Sequence, residues 1–155
     1  MSVSLFDVTA TPLPKSSRLH ARIAPEDFVD CYCVVSDMPT REAADIIATF
    51  PGWAQMLANL RNLLVKPLGL QTERPTDTDC IGFFPVESQS ETEVIAGFDD
   101  SHLDFRVSIL SQEGKLFLAT WVHRNNLLGR IYLATIMPFH ILIVRDALAR
   151  AARAT

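Results

Sequence analysis

The stretch LLGRIYLATIMPFHILIVRDALARAAR, residues 127–153, decides how the rest of the chain is read. Asn125 or Asn126 ahead of it can cap a helix, because an amide side chain satisfies the orphan N–H groups of a first turn. Leu128, Ile131, Thr135, Phe139, Leu142 and Asp146 recur at helical spacings, and Leu127, Tyr132, Ile136, Ile143 and Ala147 form a second such row. From Ile131 to Val144 no residue carries a formal charge except His140 when protonated. Arg145, Arg150 and Arg153 gather at the closing end, where the helix dipole favours cations. Pro138 removes one backbone hydrogen bond and predicts a kink. The two rows give an apolar arc too wide for a helix with one face in water, so the expectation is a long helix enclosed by the rest of the chain. A membrane span needs about 20 apolar residues. Arg130 and His140 bracket fewer, and Pro138 interrupts them, so a core helix is expected and not a span.

The residues just before it supply what encloses it. In HLDFRVSI, residues 102–109, polar and apolar side chains alternate, which puts Leu103, Phe105, Val107 and Ile109 on one strand face. Gln112-Glu113-Gly114 is a hairpin signal. A two-residue turn at Glu113-Gly114 sets Leu118 opposite Ile109 and Val122 opposite Phe105. It also pairs Asp104 with His123 and Arg106 with Trp121 on the reverse face. A three-residue turn would scramble those faces.

Further back, Glu93 to Phe98 and Cys80 to Glu87 read as strands, the latter at an edge or a bulge because of Pro85. Phe28 to Val35, rich in Val, Tyr and Cys, reads as the first strand. Thr40 can cap a short helix that carries Glu42 in its first turn, and Pro51-Gly52 ends it. A second helix shows the stripe Trp53, Leu57, Leu60, Leu64 and closes at Pro67 and Gly69. Residues 1–24, with Pro12, Pro14, Lys15, Ser16 and Ser17, read as an extended arm. The predicted fold is α+β: a curved antiparallel sheet wrapped around a long C-terminal helix, with two short helices after the first strand.

The totals bound the possibilities. At 155 residues the chain is expected to be one domain, residues 1–155, long enough to bury about two-thirds of its unfolded surface. The net charge of −4 and the lack of a basic run argue against nucleic acid as a partner. No signal peptide is evident at the start, so a cytoplasmic protein is expected. The three cysteines, Cys31, Cys33 and Cys80, lack the further ligands a zinc site needs, so reduced thiols and no metal or cofactor are expected.

Several segments together resemble a known group. They are WAQMLANLRN from Trp53 with Pro67 to Leu70, GFFPV from Gly82, GFDDSHLDFR from Gly97, HRNNLLGR from His123 and PFHILI from Pro138. The resemblance covers nearly all of the chain from about Pro14. It is to an uncharacterised bacterial family of small domains of unknown function, also found appended to some nucleoside-diphosphate-sugar-epimerase-like proteins. That family is similar to the helix-grip proteins of the START and birch-pollen-allergen type. The resemblance implies a ligand-holding cavity and supplies no catalytic residues. The helix-grip pattern ordinarily has more strands between its helices than this sequence shows, which implies a small cavity or none.

Candidate chemistry gathers on the last hairpin. His102, Asp104 and Arg106 share a strand face with Trp121 and His123 beside them. An Asp–His pair can orient an imidazole for proton transfer, and Arg106 over Trp121 can make a cation–π contact. The plainer alternative is a solvated outer face with ordinary cross-strand pairs. His140 on the long helix can instead hydrogen-bond a ligand in the cavity. Asp99-Asp100 reads as a turn before it reads as a cation site. Arg130, in the first helical turn, calls for a carboxylate such as Asp104 or Asp99. The leading expectation is a module that binds a small hydrophobic ligand between sheet and helix. One rival is a small acid–base enzyme, of cyclase, isomerase or hydratase type, using His102, Asp104 or His123. The other is an interaction module forming a homodimer or docking on a separate oxidoreductase.

Overall fold

A computed structural model describes residues 7–49, 79–82, 84–99 and 103–154 of the chain. Glu113 and Gly114 both take positive φ, 54° and 74°. This is the tight turn whose twist suits two antiparallel strands. It joins β6 (Leu103–Gln112) to β7 (Lys115–Arg124), here numbered in chain order after β1 (Thr9–Ala10), β2 (Phe28–Val35), β3 (Cys80–Ile81), β4 (Phe84–Gln89) and β5 (Glu93–Asp99). The register is the predicted one: Ile109 faces Leu118, Phe105 faces Val122, Asp104 faces His123 and Arg106 faces Trp121. The seven strands form one curved antiparallel sheet in the order β1-β2-β7-β6-β5-β4-β3.

The run Cys80–Glu87, expected as one strand, is two. Gly82, at φ +56°, turns the chain so that Ile81 pairs Phe84 and Cys80 pairs Pro85. A Cβ at Gly82 would sit 2.7 Å from the Ala48 carbonyl oxygen, so only glycine fits this corner. Pro85 therefore lies in the edge pair of the sheet, where a missing N–H is tolerated.

Two α-helices stand among the described residues: α1 (Thr40–Ile47) and the long α2 (Leu127–Arg153). Pro39, not Thr40, is the N-cap of α1, and the Thr40 hydroxyl donates to the Glu91 carbonyl at 2.9 Å. Asn126 caps α2 by accepting from the Gly129 N–H at 3.0 Å. The second short helix expected over Trp53 to Leu64 lies outside the described residues, as do His102 and Asp100.

α2 crosses the concave face and meets it unevenly. Its C-terminal half buries Val144, Ala147, Leu148, Ala149, Ala151 and Ala152 against α1 and the sheet positions Tyr32, Val34, Val94, Ile109, Leu116 and Leu118. Small alanines let the helix approach closely here. Arg150 ties it to the end of α1 by donating to the carbonyls of Ile46 and Thr49. Towards the N-terminal end a second cluster joins Leu133, Tyr132, Ile136 and Met137 to Leu103, Phe105, Val122 and Phe28. The row Leu128, Ile131, Phe139 and Leu142, expected to be enclosed, faces outward. α2 is long and apolar enough to cross a membrane by length and composition, and 17% of its most apolar 18-residue window is buried.

The convex face is covered as well. Within the stretch expected as an extended arm, Thr9–Ala10 pairs with β2 and Arg18–Arg22 forms a 3-10 helix. Leu19 is fully buried there against Cys31, Ile95, Ala119 and Trp121, with Leu13, Ile23, Val29 and Phe117 around it. Alternation along β6 and β7 thus separates two packed faces, and the convex one is no solvated exterior. The buried carboxylate that anchors the cover is Glu93, which accepts from Ser17 Oγ at 2.6 Å, Ser108 Oγ at 2.5 Å and the Arg18 N–H at 2.9 Å. A charge taken out of water needs such partners.

Candidate functional site

Two Asp–His pairs stand on opposite faces of the sheet. The convex pair begins with Asp27, in the turn leading into β2, whose side chain is 1% exposed. Its Oδ2 accepts from Trp121 Nε1 at 2.8 Å and from the Ala24 N–H at 2.9 Å. Its Oδ1 lies 2.6 Å from His123 Nδ1. Burial would raise the Asp27 carboxyl, but the bonds from Ala24, His123 and Trp121 together outweigh it and hold the carboxyl below its ordinary value. The bond to Asp27 in turn raises His123, aided by the charges of Asp27, Asp104 and Glu26. The imidazole lies nearly parallel to the Trp121 ring, 17° apart with centroids at 6.5 Å. With Nδ1 engaged, Nε2 is the nitrogen left to act on anything from solvent. That is the arrangement in which a carboxylate fixes the tautomer and orientation of a histidine.

The concave pair joins Asp30 of β2 to His140 of α2, with Oδ2 and Nε2 2.9 Å apart. Phe28 meets the same imidazole edge-on, with centroids at 6.1 Å. Asp30 lies opposite Thr120 of β7, which is buried too. Along β2, Phe28 belongs to one concave cluster and Tyr32 to the other, so the polar trio sits between two apolar patches. Asp30 Oδ1 is buried and has no hydrogen-bond partner among the described residues. Burial, and then the neighbouring Asp30, raise the Tyr32 hydroxyl, while Arg145, 5.1 Å over the ring, acts the other way.

The residues singled out from the sequence are therefore not one constellation. Trp121 and His123 do come together, through Asp27. Asp104 lies opposite His123 in the register, yet its carboxylate accepts from Asn125 Nδ2 at 3.3 Å. Arg106 is buried and pairs with Asp99 at 2.9 Å and Glu87 at 3.2 Å. The cation over Trp121 is Arg22, at 5.6 Å, which also pairs with Glu87. His140 belongs to the other face altogether, and His102 lies outside the described residues. Asp99 being taken by Arg106, Arg130 has no carboxylate partner among the described residues. Burial, with Cys33 and Asp30 adding to it, pushes the Cys31 thiol up to about 12, so it is a packed thiol and not a nucleophile near neutral pH.

Asp27 and Asp30 are the residues that sequence reading passed over. Asp30 left a signal: it is the single charged residue in FVDCYCVV, on the same parity as Phe28, Tyr32 and Val34. Asp27 left none, because nothing in its neighbours shows that Trp121 and His123 come within reach. Glu26, Asp27 and His123 each bring one potential ligand atom within 4.8 Å of the others. Both Asp27 oxygens already accept from protein donors, which weakens the trio as a metal site.

The family model described as Protein of unknown function (DUF2867) matches residues 23–147. The chain belongs to that family. The matched span takes in Asp27, Asp30, Trp121, His123 and His140, and leaves outside it Ser17 and the Arg18–Arg22 helix that cover the convex face. No curated protein and no solved structure matches the chain.

Proposed function

We propose that this DUF2867 chain holds a small, largely apolar molecule between the concave sheet face and α2, with the ligand's polar end donating a hydrogen bond to Asp30. The observation that carries the reading is the buried, unpartnered Oδ1 of Asp30, set between two apolar clusters while Oδ2 is held by His140. A buried acceptor left unsatisfied costs about 1–3 kcal/mol. A hydroxyl or amine on an otherwise apolar ligand would recover that cost while its body lies against residues such as Phe28, Val122 and Leu133. In this reading the layout is that of a START-like helix-grip domain, and α2 is its inner wall, not a membrane span. In support, withdrawing α2 from the sheet would strip the bonds from His140 to Asp30 and from Arg145 to the Val8 carbonyl. Native mass spectrometry of the purified protein should give an adduct mass that Asp30→Asn diminishes. Bare protein, together with an ordered water on Asp30 Oδ1 in a high-resolution crystal structure, would overturn the proposal.

A second reading rests on a different observation, the fully oriented Asp27–His123 pair. Here the chain is an acid–base enzyme in which His123 Nε2 exchanges a proton with substrate at the convex face and Asp27 positions the ring. Any substrate found by screening should turn over more slowly with His123→Ala, and an unchanged rate in both His123→Ala and Asp27→Asn would exclude it.

A further inference from the structure

The outward row of α2 has an internal symmetry that points to its occupant. Leu128, Ile131, Phe139 and Leu142 are large apolar side chains 37–54% exposed, and Leu127 beside them is 70% exposed. At 100° per residue, Leu128, Ile131, Thr135, Phe139 and Leu142 fall within an arc of about 80° over a length of about 21 Å. Taken from Thr135, the row lies at positions −7, −4, 0, +4 and +7. A second copy of the same helix, antiparallel and related by a two-fold axis through Thr135, brings Leu128 against Leu142 and Ile131 against Phe139, twice each. Such reciprocity is what an isologous interface requires.

The middle of the row suits close approach. Ala134 is small, and the Thr135 hydroxyl already donates to the Ile131 carbonyl at 2.8 Å, so its methyl can be buried with no unmet polar group. No charged residue interrupts the row. A lipid surface would instead favour a basic rim; of the two arginines beside the row, Arg145 is held by the Val8 carbonyl and the Tyr32 ring, which leaves Arg130 in a chain of net charge −4.

We infer that the chain forms a two-fold dimer through the outward face of α2, with the helices antiparallel and Thr135 at the axis. The contact is short, so association falls in the micromolar range. Analytical ultracentrifugation from about 1 µM to about 100 µM is the first test. The wild type should pass from monomer to dimer, while Ile131→Glu and Phe139→Glu should each remain monomeric with an unchanged circular dichroism spectrum. In a Cys33→Ser background, mixing Leu128→Cys with Leu142→Cys should give a disulfide-linked heterodimer, and neither variant should cross-link alone. Wild type that is monomeric at the highest concentration overturns the inference even if a variant misfolds. So does cross-linking within Leu128→Cys alone, which would mean parallel helices. Flotation of a monomer with phosphatidylcholine vesicles carrying phosphatidylserine overturns it too, in favour of a membrane surface.

Discussion

The two faces of the sheet solve one problem in opposite ways. Each takes an aspartate out of water and sets it against a histidine. On the convex face both Asp27 oxygens are met, by Trp121, Ala24 and His123. On the concave face His140 meets one Asp30 oxygen and the other is left without a partner among the described residues. A satisfied carboxylate fixes its neighbours and contributes to stability. An unsatisfied one costs stability until a ligand or a water donates to it. On that ground the proposed ligand is placed on the helix side, and the proposed acid–base role stays with the oriented imidazole on the other.

The comparison breaks most visibly if the convex face is not a core. Trp121 is 4% exposed there, and Leu148 is fully buried on the concave side. Trp121→Ala is expected to cost about 3–5 kcal/mol and Leu148→Ala about 2–5 kcal/mol, read from urea unfolding midpoints at constant m-value. Were the convex face an ordinary solvated surface, Trp121→Ala would fall within about 0.5 kcal/mol of wild type. That outcome would mean that residues 13–27 do not cover the convex face in solution.

A finer cut separates the two aspartates. Asp27→Asn loses charge-assisted acceptors and gives one oxygen's place to an amide facing N–H donors, so it should cost about 1.5–3 kcal/mol. Asp30→Asn keeps an acceptor for His140 and removes a charge whose other oxygen was unmet, so it should stay within about 1 kcal/mol of wild type. The same pair of variants should rank oppositely in ligand retention, with Asp30→Asn losing more of the adduct. Equal losses of stability at the two positions would mean that Asp30 Oδ1 is bonded in solution, by water or by protein.

What the sequence made legible, and what it did not, follows the range of the interactions. The β6–β7 register could be read because it rests on local terms, a period of two and a turn that only Gly114 and a residue tolerant of positive φ can make. The existence of α2 could be read from its period and its Asn126 cap. Which of its rows faces inward could not, because both rows are apolar and the choice is made by strands distant in sequence. The cover of the convex face was illegible for a related reason. Ser17, Leu19 and Asp27 sit in a segment with no period, and their partners Glu93, Trp121 and His123 lie 76 to 102 residues away. The polar cluster inferred around Asp104 and Arg106 was drawn from strand parity alone, which places side chains on a face but does not say what else packs on it.

The smallest effect, and the most specific to the convex pair, is a pH profile. His123 is raised above its ordinary 6.5, so its contribution to stability is fully present below 6.5 and is lost as pH rises through its folded value. Asp27 is held below its ordinary 3.8, so its contribution is present above 3.8 and is lost as pH falls through its folded value. The pair therefore stabilises most between 3.8 and 6.5. Thermal midpoints of wild type minus those of Asp27→Asn should be largest in that window and shrink on both sides of it. His123→Gln, which keeps a donor for Asp27 but does not titrate there, should abolish the high-pH decline and leave the low-pH one. A difference that stays flat across the window would show that the imidazole and the carboxylate are not coupled in solution, and would leave His123 unable to serve as an oriented acid or base.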